Sequence, residues 1–170
     1  MQKRIMQKSI RYTISYISLA IAGLGVAITA IASTITPVQT YAPDKRATIS
    51  QMYAQDVRTE GFSEIPVLVT YAAPELKAAL ALERAYFERE QMSCHIGHDV
   101  LWDSQDPDYT QDKSFSMTDA GLVKVSLAQG SDIYYELACT AANNSVECKV
   151  ADVIFDDKLT LKNYLREACR

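Results

Sequence analysis

The fold is decided by Ser131-Asp-Ile-Tyr-Tyr-Glu-Leu-Ala-Cys-Thr-Ala-Ala-Asn-Asn-Ser-Val-Glu-Cys-Lys-Val150, in which two alternating apolar runs flank a pair of asparagines. Alternation with a period of two is typical of a β-strand that buries one face. Asn143 and Asn144 tolerate the positive φ angles that a two-residue type I′ turn requires. The stretch therefore predicts a β-hairpin. One face of it carries the following residues: Ile133, Tyr135, Leu137, Cys139, Val146, Cys148 and Val150.

The turn also predicts the register of the hairpin. With two asparagines in the loop, Ala142 pairs with Ser145 and Cys139 faces Cys148. Counted outward from the turn, the cysteine pair is a non-hydrogen-bonded one, where opposing Cα atoms come closest. A disulfide bond can close at such a site.

All four cysteines lie in the C-terminal half, and an even number in an exported domain indicates two disulfide bonds. Cys139–Cys148 leaves Cys94–Cys169 as the second pair. Zinc is the alternative, because Cys94, His95 and His98 lie close together in the sequence. However, the hairpin cysteines lack the CxxC spacing of zinc ribbons. We therefore predict no metal and no cofactor.

The N-terminus predicts export. Four basic residues fall within the first eleven, an apolar run covers Thr13 to Ala32, and Ala30-Ile31-Ala32 has the pattern of a signal-peptidase site. We predict a signal peptide over residues 1–32, a tether over 33–44 and one domain over 45–170. The predicted location is the periplasm. The alternative is an uncleaved anchor helix, which would hold the domain on the periplasmic side of the inner membrane.

The bulk composition excludes some classes of protein. The chain has 170 residues, of which 48% are apolar, enough for a single core. Without the four N-terminal basic residues it has 13 basic and 21 acidic residues, a net charge of −8. Because an acidic domain repels phosphate backbones, nucleic acid is an unfavourable partner.

Helices are predicted before and after the sheet. The spacing of apolar residues predicts helices over 46–58 and 75–91, and a final helix that Thr160 or Asp157 caps. The segment 65–71 is either extended or a helical turn. In the second helix, the apolar stripe places Phe87 in the core and Glu83 outside it. Further strands are predicted over 114–118 and 122–128.

The last strand changes phase after Val150. Asp152 occupies a position where an inward residue is expected, and the apolar residues resume on the other phase. This slip predicts a β-bulge. The order of elements predicts an α+β fold, with N-terminal helices packed on a curved antiparallel sheet and a closing C-terminal helix.

Three stretches add a resemblance to a known family. They are Val69-Thr-Tyr-Ala-Ala-Pro-Glu-Leu76, Asp99-Val-Leu-Trp-Asp-Ser-Gln-Asp106, and Val150-Ala-Asp-Val-Ile154 with the later Leu159-Thr-Leu161 and Tyr164-Leu165. Together they resemble the exported bacterial domains grouped as domain of unknown function 3828. The resemblance implies a small cystatin-like or NTF2-like α+β domain. Some relatives look like periplasmic immunity proteins that neutralise secreted toxins.

The sequence carries no signature of catalysis. It has no glycine-rich phosphate loop, no HExxH and no GxSxG motif, and no nucleophile signature accompanies His95 and His98. The aspartate-rich segment 99–112 lacks the glycine and glutamate of an EF-hand. We therefore predict a binding protein rather than an enzyme.

The predicted site is a surface for a basic, toxin-like protein partner. Aromatic residues surrounded by acidic ones can anchor such a partner. The predicted site residues are Trp102, Asp103, Asp106, Asp108 and Tyr134. Two alternatives remain open at the residue level, a buried Trp102 and aspartates that close turns. The alternative function is that of a small-ligand-binding NTF2-like domain with an apolar pocket under the sheet.

Overall fold

The computed structural model describes residues 41–94, 97–143, 145–155 and 159–170. These residues form α helices and β strands in the order that the sequence predicts, and the α+β class is confirmed. The elements are α1 Ala42–Thr59, α2 Val67–Tyr71, α3 Pro74–Glu90, β1 Lys113–Met117, β2 Val123–Leu127, β3 Ile133–Ala142, β4 Ser145–Ile154 and α4 Leu161–Ala168. The predicted signal peptide and most of the predicted tether lie outside the described residues.

The four strands form an antiparallel sheet in the order β1-β2-β3-β4. One face of this sheet is buried, since alternate residues of β2 and β3 are buried and those between them are partly or fully exposed. α1 contacts β1, β2 and β4, while α2, α3 and α4 contact β4. The core therefore lies between the helices and one face of the sheet, as the sequence predicts. The finer cystatin-like or NTF2-like assignment stays a prediction.

The hairpin has the predicted register. Ala142 pairs with Ser145 and Cys139 with Cys148, with 4.0 Å between the two cysteine Cα atoms. The Cys139–Cys148 and Cys94–Cys169 disulfide bonds are both present. In the turn, Asn143 has a φ of +49°, and Asn144 lies outside the described residues. Two disulfide bonds fit an oxidising compartment.

The predicted slip in β4 is a β-bulge. Glu136 pairs with Asp152 while Leu137 pairs with Val150, which leaves Ala151 as the extra residue. The bulge turns Asp152 inward, where it is buried.

The buried Asp152 and Thr160 together cap α4. Asp152 Oδ1 accepts a hydrogen bond from the Lys162 amide at 3.0 Å, and its Oδ2 lies 3.5 Å from Lys162 Nζ. The Thr160 hydroxyl accepts from the Asn163 amide at 3.4 Å. Thr160 is therefore a cap, as one of the two sequence alternatives predicts. The other, Asp157, lies outside the described residues.

α2 is a helical turn, which is one of the two alternatives predicted for residues 65–71. The helices differ from the prediction at three other points. α1 begins at Ala42 rather than at residue 46, because Pro43 suits the first turn of a helix. In α3 the predicted core position of Phe87 is wrong, since Tyr86 packs against the core instead and Phe87 is exposed. Glu83, predicted to lie outside, is half-buried.

Candidate functional site

Trp102 lies in the core rather than on the surface. Its side chain is fully buried, and Nε1 donates a hydrogen bond to Asp56 Oδ2 at 2.6 Å. The rings of Tyr53 and Tyr109 meet the indole edge-on, each with its centroid 5.3 Å away. Of the two sequence alternatives for Trp102, the structure has the buried one. Its indole is therefore not available to a partner at the surface.

Two buried tyrosines hold the backbone next to Trp102. The Tyr53 hydroxyl donates to the Leu101 carbonyl oxygen, and the Tyr135 hydroxyl lies 2.9 Å from the Tyr53 hydroxyl. Because Tyr53 uses its one proton on the carbonyl, Tyr135 must be the donor to Tyr53. Burial raises the pKa of both phenols well above the usual tyrosine value, so they stay protonated.

Asp103 has a structural role next to the sheet. Its Oδ2 accepts from the Ser131 amide at 3.2 Å, and its Oδ1 lies 3.2 Å from His98 Nε2. Its own φ is +47°, a left-handed conformation that aspartate tolerates better than most residues. Asp103 therefore links the loop after α3 to the start of β3.

The other predicted site residues do not share a surface with Trp102. Asp106 and Asp108 are exposed. Asp108 closes a turn, since Oδ1 accepts from the Thr110 amide at 2.9 Å, and hydrogen bonds from Thr110 lower its pKa. Tyr134 lies on the face of β3 opposite the buried Tyr135. Partner binding by Asp106, Asp108 and Tyr134 stays a prediction.

A cleft of about 610 Å³ lies between the helices and the loop after α3. Its walls come from the end of α1, the segment 61–66, α2, one side of α3 and residues 98–101. The apolar part of its lining includes Ile65, Leu80 and Phe87. None of the residues that line it belongs to a strand, so the cleft is not a pocket under the sheet.

Two exposed apolar side chains line this cleft. Ile65 is 59% exposed and Phe87 52%, and both line it. Phe62, which is 91% exposed, Leu82 and Met92 adjoin lining residues in the sequence. Val146 is exposed on β4, which contributes no residue to the cleft. Exposed apolar side chains at a concave surface are typical of a site that another molecule covers.

The cleft contains two carboxyl groups with raised pKa values. Glu83 and Asp99 both line it, and burial raises the pKa of each. Hydrogen bonds oppose this shift, since Asp99 Oδ1 accepts from the Leu101 amide at 2.7 Å and Glu83 bonds with Ser93. The cleft is therefore apolar at its rim and carries partly desolvated carboxyl groups within.

Sequence reasoning missed this cleft. It treats Phe87 as a core residue and assigns no role to Phe62 or Ile65. A signal was present, since Phe62 and Ile65 fall in an irregular segment between two helices, where no periodicity accounts for large apolar residues. Asp99 belongs to the aspartate-rich segment 99–112 but is not among the predicted site residues.

The structure offers no metal site within the part of the chain that it describes. There, no three residues among His, Cys, Asp and Glu are grouped so that they could hold an ion, and all the cysteines are in disulfide bonds. His95, which the zinc alternative and the general-base alternative both use, lies outside the described residues. None of the described helices is both long enough and apolar enough to span a bilayer.

Comparisons with family models, with curated proteins and with solved structures find no match for this chain. The resemblance to domain of unknown function 3828 therefore stays a prediction. The function has to be argued from the geometry of the chain itself.

Proposed function

We propose that this chain is an exported, non-catalytic binding protein, and that a protein partner docks at the cleft beside α3. The observation that carries the proposal is a concave surface whose lining includes two exposed apolar side chains, Ile65 and Phe87. Exposed aromatic residues such as Phe62 and Phe87 lower the solubility of a free protein, and a partner that covers them gains their burial.

The shape and composition of the cleft agree with a docking site for a partner. Interfaces are anchored by a few large side chains that enter concave, desolvated pockets. The cleft supplies the concave surface, and Ile65 and Phe87 supply apolar area at its rim. The resemblance found in the sequence implies a secreted toxin as a candidate partner, with this chain as its immunity protein.

A small ligand is the second candidate for the same cleft. Its volume of about 610 Å³ falls within the range of ligand pockets in proteins, and its lining is mixed apolar and polar. A small ligand would occupy the interior of the cleft without covering Phe62, which is 91% exposed. The two candidates therefore differ in whether Phe62 contributes to binding.

The test is affinity capture from the periplasmic extract of the native host with the full chain as bait. Phe62→Ala and Phe87→Ala are compared with Val146→Ala, which removes an exposed apolar side chain away from the cleft. We expect a protein that both phenylalanine variants lose and the Val146 variant retains. With that protein purified, each phenylalanine variant should weaken binding about tenfold or more, because truncating an anchor residue costs at least about 1.4 kcal/mol.

Other results would contradict the proposal. Equal recovery of every captured protein by all three variants would exclude the cleft as the docking site. Native mass spectrometry of the protein from its host tests for a bound small molecule. A small molecule that Phe87→Ala loses and Phe62→Ala retains would favour the second candidate.

A further inference from the structure

The charged residues that line the cleft differ in how deeply they are buried. Asp56 is buried and Asp99 and Glu83 are half-buried, whereas Lys77 and Arg84 are exposed. The Arg84 side chain is 78% exposed and lies 3.8 Å from Glu88, a neighbour on the same helix. Glu64 is also exposed, and His98 is half-buried beside Asp103. Carboxyl groups therefore predominate in the interior of the cleft, while Lys77 and Arg84 face solvent.

Two of the interior carboxylates are held in place by consecutive residues. Trp102 Nε1 donates to Asp56 Oδ2 at 2.6 Å, and the Leu101 amide donates to Asp99 Oδ1 at 2.7 Å. The hydroxyl of Tyr53 in turn fixes the Leu101 carbonyl group. Such a fixed arrangement needs little reordering when a ligand binds.

Hydrogen bonds offset only part of the cost of burying these two carboxylates. Asp56 Oδ1 accepts no hydrogen bond from the residues that the structure describes. Burial raises the pKa of Asp99 and the negative charge of Asp56 adds to this effect, while hydrogen bonds from the Leu101 and Trp102 amides and the nearby His98 oppose it without cancelling it. A cation that enters the cleft would offset both the lost hydration and the repulsion between the two carboxylates.

We propose that the cleft receives a basic side chain of the partner, an arginine or a lysine, whose cationic group pairs with Asp99. This inference rests on the proposed docking function and names the chemistry of the docked segment. At the rim of the cleft, Ile65 and Phe87 contact the apolar residues that flank the basic residue in the partner. Arginine suits the site well, because its planar guanidinium can donate two hydrogen bonds to one carboxylate.

The test uses the full chain and two peptide probes, acetyl-Phe-Arg-Phe-amide and the same peptide with citrulline in place of arginine. Citrulline keeps nearly the shape of arginine and removes the charge. Measured by titration calorimetry, the arginine peptide should bind about tenfold to a hundredfold more tightly, as charge-assisted hydrogen bonds imply. Asp99→Asn should reduce this ratio towards one. Asp119→Asn, which makes the same change of charge at an exposed site outside the cleft, should preserve it.

Several outcomes would overturn the inference. One is equal affinity for the two peptides, another is an unchanged ratio in the Asp99 variant, and a third is no binding of either peptide. If arginine methyl ester binds as tightly as the peptide, the site serves a free cation rather than a partner side chain. Urea unfolding of both variants verifies that they are folded.

The failure of this inference can be told apart from the failure of the proposed function. If both peptides bind equally and Phe87→Ala weakens both, the cleft docks a partner without selecting a cation. If neither peptide binds and the captured protein does not depend on Phe87, the cleft is not the docking site and both proposals fail.

Discussion

At the scale of single residues, the core of this protein is built around polar groups that satisfy one another. Tyr135 donates to Tyr53, Tyr53 donates to the Leu101 carbonyl, and Trp102 donates to Asp56. Buried polar groups with partners cost little, whereas removing one partner exposes the other to the full penalty of desolvation. The direction of these hydrogen bonds therefore predicts which tyrosine substitution destabilises the protein more.

Tyr53→Phe should destabilise the protein more than Tyr135→Phe. The first change leaves the buried Leu101 carbonyl without its donor and Tyr135 without its acceptor, a cost of about 1–3 kcal/mol for each orphaned group. The second removes one donor and leaves the Tyr53 bond to Leu101 intact, a cost of about 1 kcal/mol. Urea unfolding of the two variants and of the double variant gives the comparison. A larger loss for Tyr135→Phe would reverse the assigned direction of the bond.

Asp99→Asn should change how stability depends on pH. The folded-state pKa of Asp99 is raised by burial, so the folded protein holds this proton more tightly than the unfolded chain does. Wild-type stability therefore falls as pH rises from the ordinary carboxyl pKa through the raised one. The asparagine variant lacks this loss, and its amide oxygen can still accept from Leu101.

The variant should consequently gain stability relative to wild type as pH rises above the ordinary carboxyl pKa, which lies near 4. Thermal unfolding at a series of pH values measures the difference. Asp119→Asn serves as the control, with an exposed carboxyl group. A difference between Asp99→Asn and wild type that is independent of pH would contradict the role given to burial.

At the scale of elements, local sequence patterns predict local structure well, but they do not predict how distant elements pack against one another. The β3–β4 hairpin, its disulfide bond and the bulge follow from alternation and turn residues that lie within a few positions of one another. The burial of residues on α3 instead depends on β4 and α4, distant elements that contact this helix, and Phe87 stays exposed. Helical periodicity alone marks an apolar stripe without naming what covers each part of it.

In the candidate site, too, the local features are predictable from the sequence and the long-range ones are not. The buried alternative for Trp102 and the turn-closing alternative for aspartates were both visible in the sequence, and Asp108 closes a turn. The cleft is assembled from segments that no local pattern links, since it combines the end of α1, the segment 61–66, α2 and one side of α3 with residues 98–101. Its depth and the raised pKa of Asp99 exist only after folding.

The two disulfide bonds should differ in their effect on the cleft. Cys94 lies next to Ser93, a lining residue, and its bond to Cys169 fastens that loop to the end of α4. Replacing both cysteines of this pair by alanine should cost about 4.5 kcal/mol, against about 2.7 kcal/mol for Cys139–Cys148, because the longer loop regains more entropy when unfolded. Urea unfolding measures both.

The two disulfide bonds should also differ in their effect on peptide affinity. Loss of the Cys94–Cys169 bond should weaken the arginine peptide severalfold, since one wall of the cleft is no longer fastened. The Cys139–Cys148 variant is the matched control, because the hairpin contributes no residue to the cleft. Equal effects of the two variants on peptide affinity would mean that the bond does not position the cleft.

At the scale of the whole molecule, charge should govern how quickly a basic partner arrives. After the first eleven residues the chain carries 21 acidic and 13 basic residues. Asp106 and Asp108 are exposed on the loop that continues from the cleft residues 98–101. Exposed charges contribute mainly to the association rate through long-range attraction, which salt screens.

The double variant Asp106→Asn with Asp108→Asn should therefore slow association by a few-fold at low ionic strength and flatten its dependence on salt. Its dissociation rate should change little, since neither residue lines the cleft. The melting temperature should stay nearly unchanged, because asparagine at 108 keeps an oxygen that can accept from Thr110. Stopped-flow mixing with the captured partner at low and high salt measures the effect. If the variant instead unfolds while the remaining folded protein associates at the wild-type rate, these aspartates stabilise the loop and do not steer the partner.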